Sequence, residues 1–276
     1  TNTTLDLIIL DMLMNNTITL LNGKQYSPED LIPKMDDDKF YYGELGRTAL
    51  SSSSIKYLLD SPKAYARSLN FKSDNPAFKA GRLIHLAALE PDKIDSLIHI
   101  VEVQSARTKK YTEKVAEIGS DEFVYTRKDY DKAMYTVDAL LQNDLWQRIT
   151  RGAKFEIPAI GMLHGYPFRA KADILGDGFI ADLKTTSDVK AFPYSAKKYS
   201  YDIQLYIYCE LFNVSYDKFY FFAIDKGKGD LGMWDASESF YLSGKEKLER
   251  AIKTFEEYFV KKESELNEYV IRGTLQ

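Results

Sequence analysis

Two dipeptides, His164-Gly165 and Asp177-Gly178, cut one stretch of this chain into residues 154–162, 166–175 and 179–186, and in each run apolar and polar residues alternate. A period of two sends successive side chains to opposite faces of a strand. An Xaa-Gly pair supplies the positive φ that a two-residue hairpin turn requires. A stretch of this kind is predicted to fold as a three-stranded antiparallel meander. After it come a helix at about 200–213, an apolar strand at 219–224, a further strand at about 237–242 and a long charged helix from about 244 to 269.

Before the meander the spacing is helical. Four serines, Ser51 to Ser54, precede Ile55, Leu58 and Leu59 and read as an N-cap. Ser61-Pro62 starts a second helix. Asn75-Pro76 opens a third, through Phe78, Leu83, Ile84, Ala87 and Leu89 until Pro91. Residues 95–104 read as a short strand and 109–117 as an exposed charged segment. Thr126 or Asp129 begins another helix, with Tyr130, Met134, Val137, Leu140 and Leu141 at helical spacing. Residues 1–46 read as an N-terminal extension or arm, with a helix at 4–14, a hairpin at 17–26 around Asn22-Gly23 and an acidic loop, Asp36-Asp37-Asp38. The expected architecture is α/β: helix, meander, helix and strand in one domain over residues 47–276, with added helices at both ends.

Composition narrows the function. With 276 residues, 45% hydrophobic and 28% charged, the chain has the make-up of a soluble globular protein with a full-sized core. The single cysteine, Cys209, excludes a disulfide framework, a four-cysteine zinc site and a cysteine-ligated iron–sulfur cluster. The apolar run from Leu5 to Leu13 is broken by Asp6 and Asp11 and is too short to span a bilayer. It also lacks the basic flank of a signal peptide, so a cytoplasmic protein with no membrane partner is expected. A net charge of −4 argues against binding polyanions over the whole surface, but leaves room for a local basic channel.

The charged residues of the second hairpin are the candidate chemistry. In a type I′ turn at Asp177-Gly178, Gly176 faces Phe179, and the same ladder sets Asp173 opposite Asp182 and Lys171 opposite Lys184. Alternation then places Arg169, Lys171, Asp173, Asp182 and Lys184 on one face and Ala170, Ala172, Ile174, Ala181 and Leu183 on the other. Two facing carboxylates repel unless a cation lies between them, and hard oxygen ligands suit Mg²⁺ or Mn²⁺. The competing reading is a solvated sheet face of Asp–Lys cross-strand pairs. On that face Asp182→Ala is expected to leave the fold intact. Gln204 and Tyr208, four apart, share a helix face beside this hairpin, opposite Ile203, Leu205, Ile207 and Leu211. Gly81 and His85 are also four apart, so that a backbone can come close to the imidazole.

Other residues read as structural: His99 in an apolar strand, His164 in a turn, Cys209 as an inert thiol, and residues 226–230 as a glycine-rich turn without Walker spacing. Three basic clusters flank the hairpin: Arg67, Lys72, Lys79 and Arg82; Arg107, Lys109 and Lys110; Lys190, Lys197 and Lys198. They suit a DNA-lined channel, and Tyr65, Tyr199 and Tyr201 are candidates for stacking on unpaired bases.

Together these segments resemble the PD-(D/E)XK nuclease superfamily, in particular the RecE-type (exodeoxyribonuclease VIII) branch of phages and prophages. The resemblance is carried in order by Ser51-Ser52-Ser53-Ser54-Ile55-Lys56, Ser61-Pro62, Ala77-Phe78-Lys79-Ala80-Gly81-Arg82-Leu83-Ile84-His85, Phe168-Arg169-Ala170-Lys171-Ala172-Asp173, Asp182-Leu183-Lys184-Thr185-Thr186 and Gln204-Leu205-Tyr206-Ile207-Tyr208. Ala172 stands where the family motif often has proline. Close kinship to Cas4-type nucleases is excluded, because these need four cysteines. The resemblance implies His85, Asp173 and Asp182 as metal ligands, with the backbone carbonyl of Leu183 completing the shell and Glu156 in a second shell. It implies Lys184 as the residue that positions or activates the attacking water, and Gln204, Tyr208, Arg82 and Lys171 as DNA contacts. It further implies one or two Mg²⁺ or Mn²⁺ ions and 5′-to-3′ digestion of linear duplex ends. A ring-shaped homo-oligomer, a single-strand annealing partner and a phage or prophage origin belong to the same implication. A restriction-type or structure-specific endonuclease and a catalytically silent DNA-binding module remain as alternatives.

Overall fold

A computed structural model describes residues 17–70 and 76–274. The helix expected at 4–14, Lys72 and the Asn75 start of the third helix lie outside those residues. From the N-terminal side, β1 (Ile18–Thr19) and β2 (Gln25–Tyr26) pair antiparallel across Asn22-Gly23, where Gly23 takes a φ of 81°. Ser51 and Ser54 form a reciprocal capping box that opens α1 (Ser52–Asp60). Ser61 caps α2 (Pro62–Ser68), and α3 runs Pro76–Leu89. β3 (His99–Val101) pairs parallel with β4 (Val124–Thr126). The segment between them, expected to be charged and exposed, is α4 (Lys109–Ile118). Thr126 caps α5 (Arg127–Leu141), and α6 (Asp144–Thr150) leads into the main sheet.

That sheet has five strands in the order β5 (Lys154–Leu163), β6 (Tyr166–Gly176), β7 (Phe179–Thr186), β8 (Phe219–Asp225) and β9 (Leu231–Trp234). The first three form the antiparallel meander. A crossover through α7 (Phe192–Lys198) and α8 (Tyr201–Phe212) returns the chain to pair β8 parallel with β7. β9 then closes a hairpin on β8 through residues 226–230, where Asp225 Oδ1 accepts the N–H groups of Gly227 and Lys228.

The strand expected at 237–242 is not present. Ser237 accepts the Phe240 N–H and starts α9 (Glu238–Phe255), so the cap prevails over a short alternation. The charged helix also stops earlier than expected. A wider turn covers Glu256–Val260, and Lys262 at φ 54° takes the chain out of helical geometry.

Apolar layers cover both faces of the sheet. On one, Ala159, Ala170, Ala172, Leu175, Ile180 and Phe219 meet Leu205, Cys209 and Phe212 of α8. On the other, Ile174, Ala181, Leu183 and Phe222 meet Leu83, Ile84 and Ala87 of α3 and Val137 and Leu140 of α5. Each fully buried Leu, Ile, Val or Phe side chain among these contributes about 1.5–3 kcal/mol. The expected single apolar face is thus divided between two layers. Glu156 sits inside β5 with φ 53°, and the β5–β6 ladder pairs Phe155 with Ile174 and Ile157 with Ala172, skipping Glu156 and Asp173 between them. A left-handed residue breaks the alternation of β5 here, and opposite it Ala172 and Ile174 of β6 turn to different layers.

α8 is buried on nearly every side, because Ile203, Tyr206 and Ile207 pack against Ile55 and Leu58 of α1 and Leu248 and Ile252 of α9. The described part of the N-terminal segment is docked as well. Leu31, Met35, Tyr41 and Leu45 pack with Ile160 of β5, and Leu50 joins β6 by hydrogen bonds to Pro167 and Arg169.

Candidate active site

The Asp177-Gly178 turn sets the expected register: Gly176 pairs with Phe179, Leu175 with Ile180 and Ile174 with Ala181. There the ladder ends. Asp173 Oδ2 instead accepts the Leu183 N–H at 2.8 Å, so this carboxylate spans the gap between β6 and β7. The same oxygen lies 2.9 Å from His85 Nε2 on α3, and His85 Nδ1 lies 3.6 Å from Glu156 Oε1. One ligand atom from each of His85, Glu156 and Asp173 falls within 4.8 Å of the others. α3 can come this near because of Gly81, where a Cβ would stand 2.9 Å from Thr185 Oγ1 of β7.

Asp182 engages the other side of the sheet. Gln204 Nε2 of α8 donates to its Oδ1, and Lys184 Nζ lies 2.6 Å from its Oδ2. The ammonium of Lys184 also sits 4.9 Å from the centre of the Tyr201 ring, and Lys56 Nζ of α1 is 5.2 Å from that ring. The two aspartates are therefore neighbours with different partners and do not stand side by side on one face.

Charge is concentrated here under heavy burial. Burial and the Asp173 carboxylate push the Glu156 carboxyl up to about 8. Burial disfavours a charged His85, but Asp173 and Glu156 outweigh it and raise the imidazole to about 9. Burial likewise opposes ionisation of Asp173, yet His85 and the Leu183 N–H hold its carboxyl below the usual range. The Asp182 carboxyl is pushed up by burial against the pull of Lys184, whose ammonium is held charged by Asp182 and Asp173 in spite of its own burial. Burial and the nearby Lys184 push Lys56 down to about 8.

This donor set fits a divalent cation. Glu156 Oε1 is buried without a hydrogen-bond donor, and Asp182 Oδ2, also out of solvent, is met by the Lys184 ammonium at 2.6 Å. A cation between His85, Glu156 and Asp173 would satisfy the Glu156 oxygen and offset both the burial and the Asp173 repulsion that raise its carboxyl. An imidazole with carboxylate oxygens suits Mn²⁺ well and Mg²⁺ through its oxygens.

The remaining expected site residues fall elsewhere. Gln204 is buried on Asp182, and Tyr208 donates to the Lys171 carbonyl at 3.1 Å, so both brace the middle of the sheet from α8. Leu183 meets Asp173 through its N–H, while its side chain is in the core. Lys171 Nζ bonds Asp38 Oδ1 at 3.0 Å and lies 4.6 Å from the Tyr41 ring, and Arg82 pairs with Glu122 at 3.3 Å. Tyr65, a stacking candidate, is in the core against Phe255 and Phe259. His164 bonds Tyr206, and burial pushes the Cys209 thiol up to about 12. The sequence reading gave Lys56 no role at the site, although the Ser51–Lys56 motif contained it. Tyr201 had a signal too, because it lies three residues before Gln204 and shares its helix face.

A meander crossed over to a parallel strand, with aspartates on adjacent strands, a lysine two residues after the second and a histidine from an earlier helix, is the arrangement of the PD-(D/E)XK class. Within it, the chain belongs to the family described as "PDDEXK-like domain of unknown function (DUF3799)", which matches residues 51–268. The chain is similar in fold to the "putative exonuclease" of Eubacterium rectale: TM-score 0.60, 14% identity, covering 87% of this chain and 95% of the other. A phage-related exonuclease from Haemophilus somnus 129PT aligns at 17% identity over 79% of this chain and 98% of its own, with a TM-score of 0.35. No curated protein matches the chain. Among the described residues no helix is long and apolar enough to cross a membrane.

Proposed function

We propose that the chain is a divalent-metal-dependent deoxyribonuclease that hydrolyses phosphodiester bonds from the ends of linear duplex DNA. The observation that carries the reading is the cluster of His85, Glu156 and Asp173, with one buried carboxylate oxygen lacking a donor and with Asp182 and a charged lysine nearby. His85, Glu156 and Asp173 would hold the ion, and the family resemblance adds Asp182 and the Leu183 carbonyl as further ligands. A bound divalent ion supplies charge neutralisation at the phosphate and a lower pKa for water. In the metal-free chain the Lys184 ammonium is held charged by Asp182 and Asp173, 2.6 Å from the Asp182 carboxylate. It orients the attacking water or stabilises charge on the phosphate in the transition state. Gln204 fixes Asp182, and the Leu183 N–H fixes Asp173, so both carboxylates are held before substrate arrives.

Digestion in the 5′-to-3′ direction, a ring of identical subunits, an annealing partner and a cytoplasmic, phage-linked setting rest on the resemblance to the RecE-type branch. A linear duplex labelled at its 5′ ends and the same sequence as a closed circle, each in Mg²⁺, Mn²⁺ and EDTA, test the proposal. Metal-dependent loss of the linear form alone, with early release of labelled mononucleotide, is expected. Cleavage of the circle would assign an endonuclease, and inactivity in both metals would leave a DNA-binding module.

A further inference from the structure

Next to the site, α7 and the residue after it present a surface with no role in the reaction above. Phe192 and Ala196, four apart, are buried. Tyr194, Lys197 and Lys198 are related by three and four residues and share the outer face. Tyr194 is 70% exposed and Tyr199 is 50% exposed. Residues 189–200 contain Lys190, Lys197 and Lys198 and no Asp or Glu, in a chain of net charge −4. Among the described residues none of these three lysines has an ion-pair partner.

The surface is continuous with the site. Lys198 Nζ lies 5.5 Å from the Tyr199 ring centre, the Tyr199 and Tyr201 rings are 6.1 Å apart, and Tyr201 carries Lys184 on its ring at 4.9 Å. We infer that α7 and Tyr199 form a track for single-stranded DNA running to or from the site. The inference rests on the nuclease reading. An exposed ring beside unpaired ammonium groups matches a strand whose bases are open for stacking and whose phosphates need cations. Duplex DNA presents only its backbone and groove edges, so a duplex would use the lysines and leave the two rings idle.

The test uses the full chain in EDTA, so that binding is read without cleavage, with a fluorescent oligo(dT) and a blunt duplex as probes. Tyr199→Ala is expected to weaken oligo(dT) binding about tenfold, the loss of one stacked base, while duplex affinity changes less than about twofold. Tyr199→Phe, which keeps the ring, should bind oligo(dT) as the native chain does. Replacing Lys197 and Lys198 together by alanine should lower the slope of log affinity against log salt by about 1.4, or 0.7 for each phosphate contact. No oligo(dT) binding by the native chain, unchanged binding by Tyr199→Ala, or an equal loss for both probes would overturn the track. Failure of the nuclease reading shows separately, as native protein inactive on linear duplex in Mn²⁺, because the binding measurements do not depend on cleavage.

Discussion

The cluster of His85, Glu156 and Asp173 makes the stability of the metal-free chain depend on pH in an unusual direction. Between pH 6.5 and 8 the folded state keeps its proton on His85, raised to about 9, and largely on Glu156, raised to about 8. The unfolded chain has lost the Glu156 proton below this window and loses the His85 proton within it. Both groups have folded values above their unfolded ones, so their contribution is largest at low pH and declines as pH rises. A difference of one bound proton changes stability by about 1.4 kcal/mol per pH unit. Two coupled groups over this window give a loss of about 3 kcal/mol. For a domain of this size the melting temperature should fall by about 6–12 °C from pH 6.5 to 8 in EDTA. Lys56, pushed down to about 8, works the other way only above that pH. A bound cation takes the place of the protons, so saturating Mn²⁺ should remove most of the fall, and Glu156→Gln in EDTA should remove about half. Thermal unfolding followed by circular dichroism reads all three conditions. A melting temperature in EDTA that is flat from pH 6.5 to 8, or unaffected by Glu156→Gln, would refute the electrostatic argument.

Substitutions at Asp182, Lys184 and Gly81 separate the roles at the site. Asp182→Ala, expected on an exposed face to spare the fold, leaves Lys184 beside an empty buried position and should cost about 3–5 kcal/mol. Asp182→Asn should keep most of the stability and lose cleavage, as followed by chemical denaturation and nucleotide release. Lys184→Met keeps the volume but removes the ammonium, and should slow metal-dependent cleavage by about two to three orders of magnitude without weakening Mn²⁺ binding. Gly81→Ala brings a Cβ to 2.9 Å from Thr185 Oγ1 and should displace His85, lowering activity at least tenfold. Adding Thr185→Ala should restore activity if that contact is the cause, and kinetics on the two variants checks it.

Features governed by local chemistry were legible in the sequence. A glycine in the second turn position fixed the pairing of Ile174 with Ala181, and the hydroxyls of Ser51, Ser61 and Thr126 marked helix starts. Contacts between distant residues were not. Lys171 reads as a DNA contact until Asp38 is brought against it from 133 positions away. Glu156 was legible as an outer metal contact, but nothing local signals its left-handed backbone or its place beside His85. β9 is four residues long and contains Gly232, too little pattern to separate it from a loop. Residues 238–242 fit both periods, and only the Ser237 cap distinguishes them.

The central claim, a metal-dependent phosphodiesterase built on Asp173 and Asp182, is tested most directly by release of acid-soluble nucleotide from a linear duplex in Mn²⁺. The native chain and Asp173→Asn are assayed in parallel, each with and without EDTA. Release by the native chain in Mn²⁺ alone is the expected result. Release in EDTA, release by Asp173→Asn at the native rate, or no release by the native chain would contradict the account.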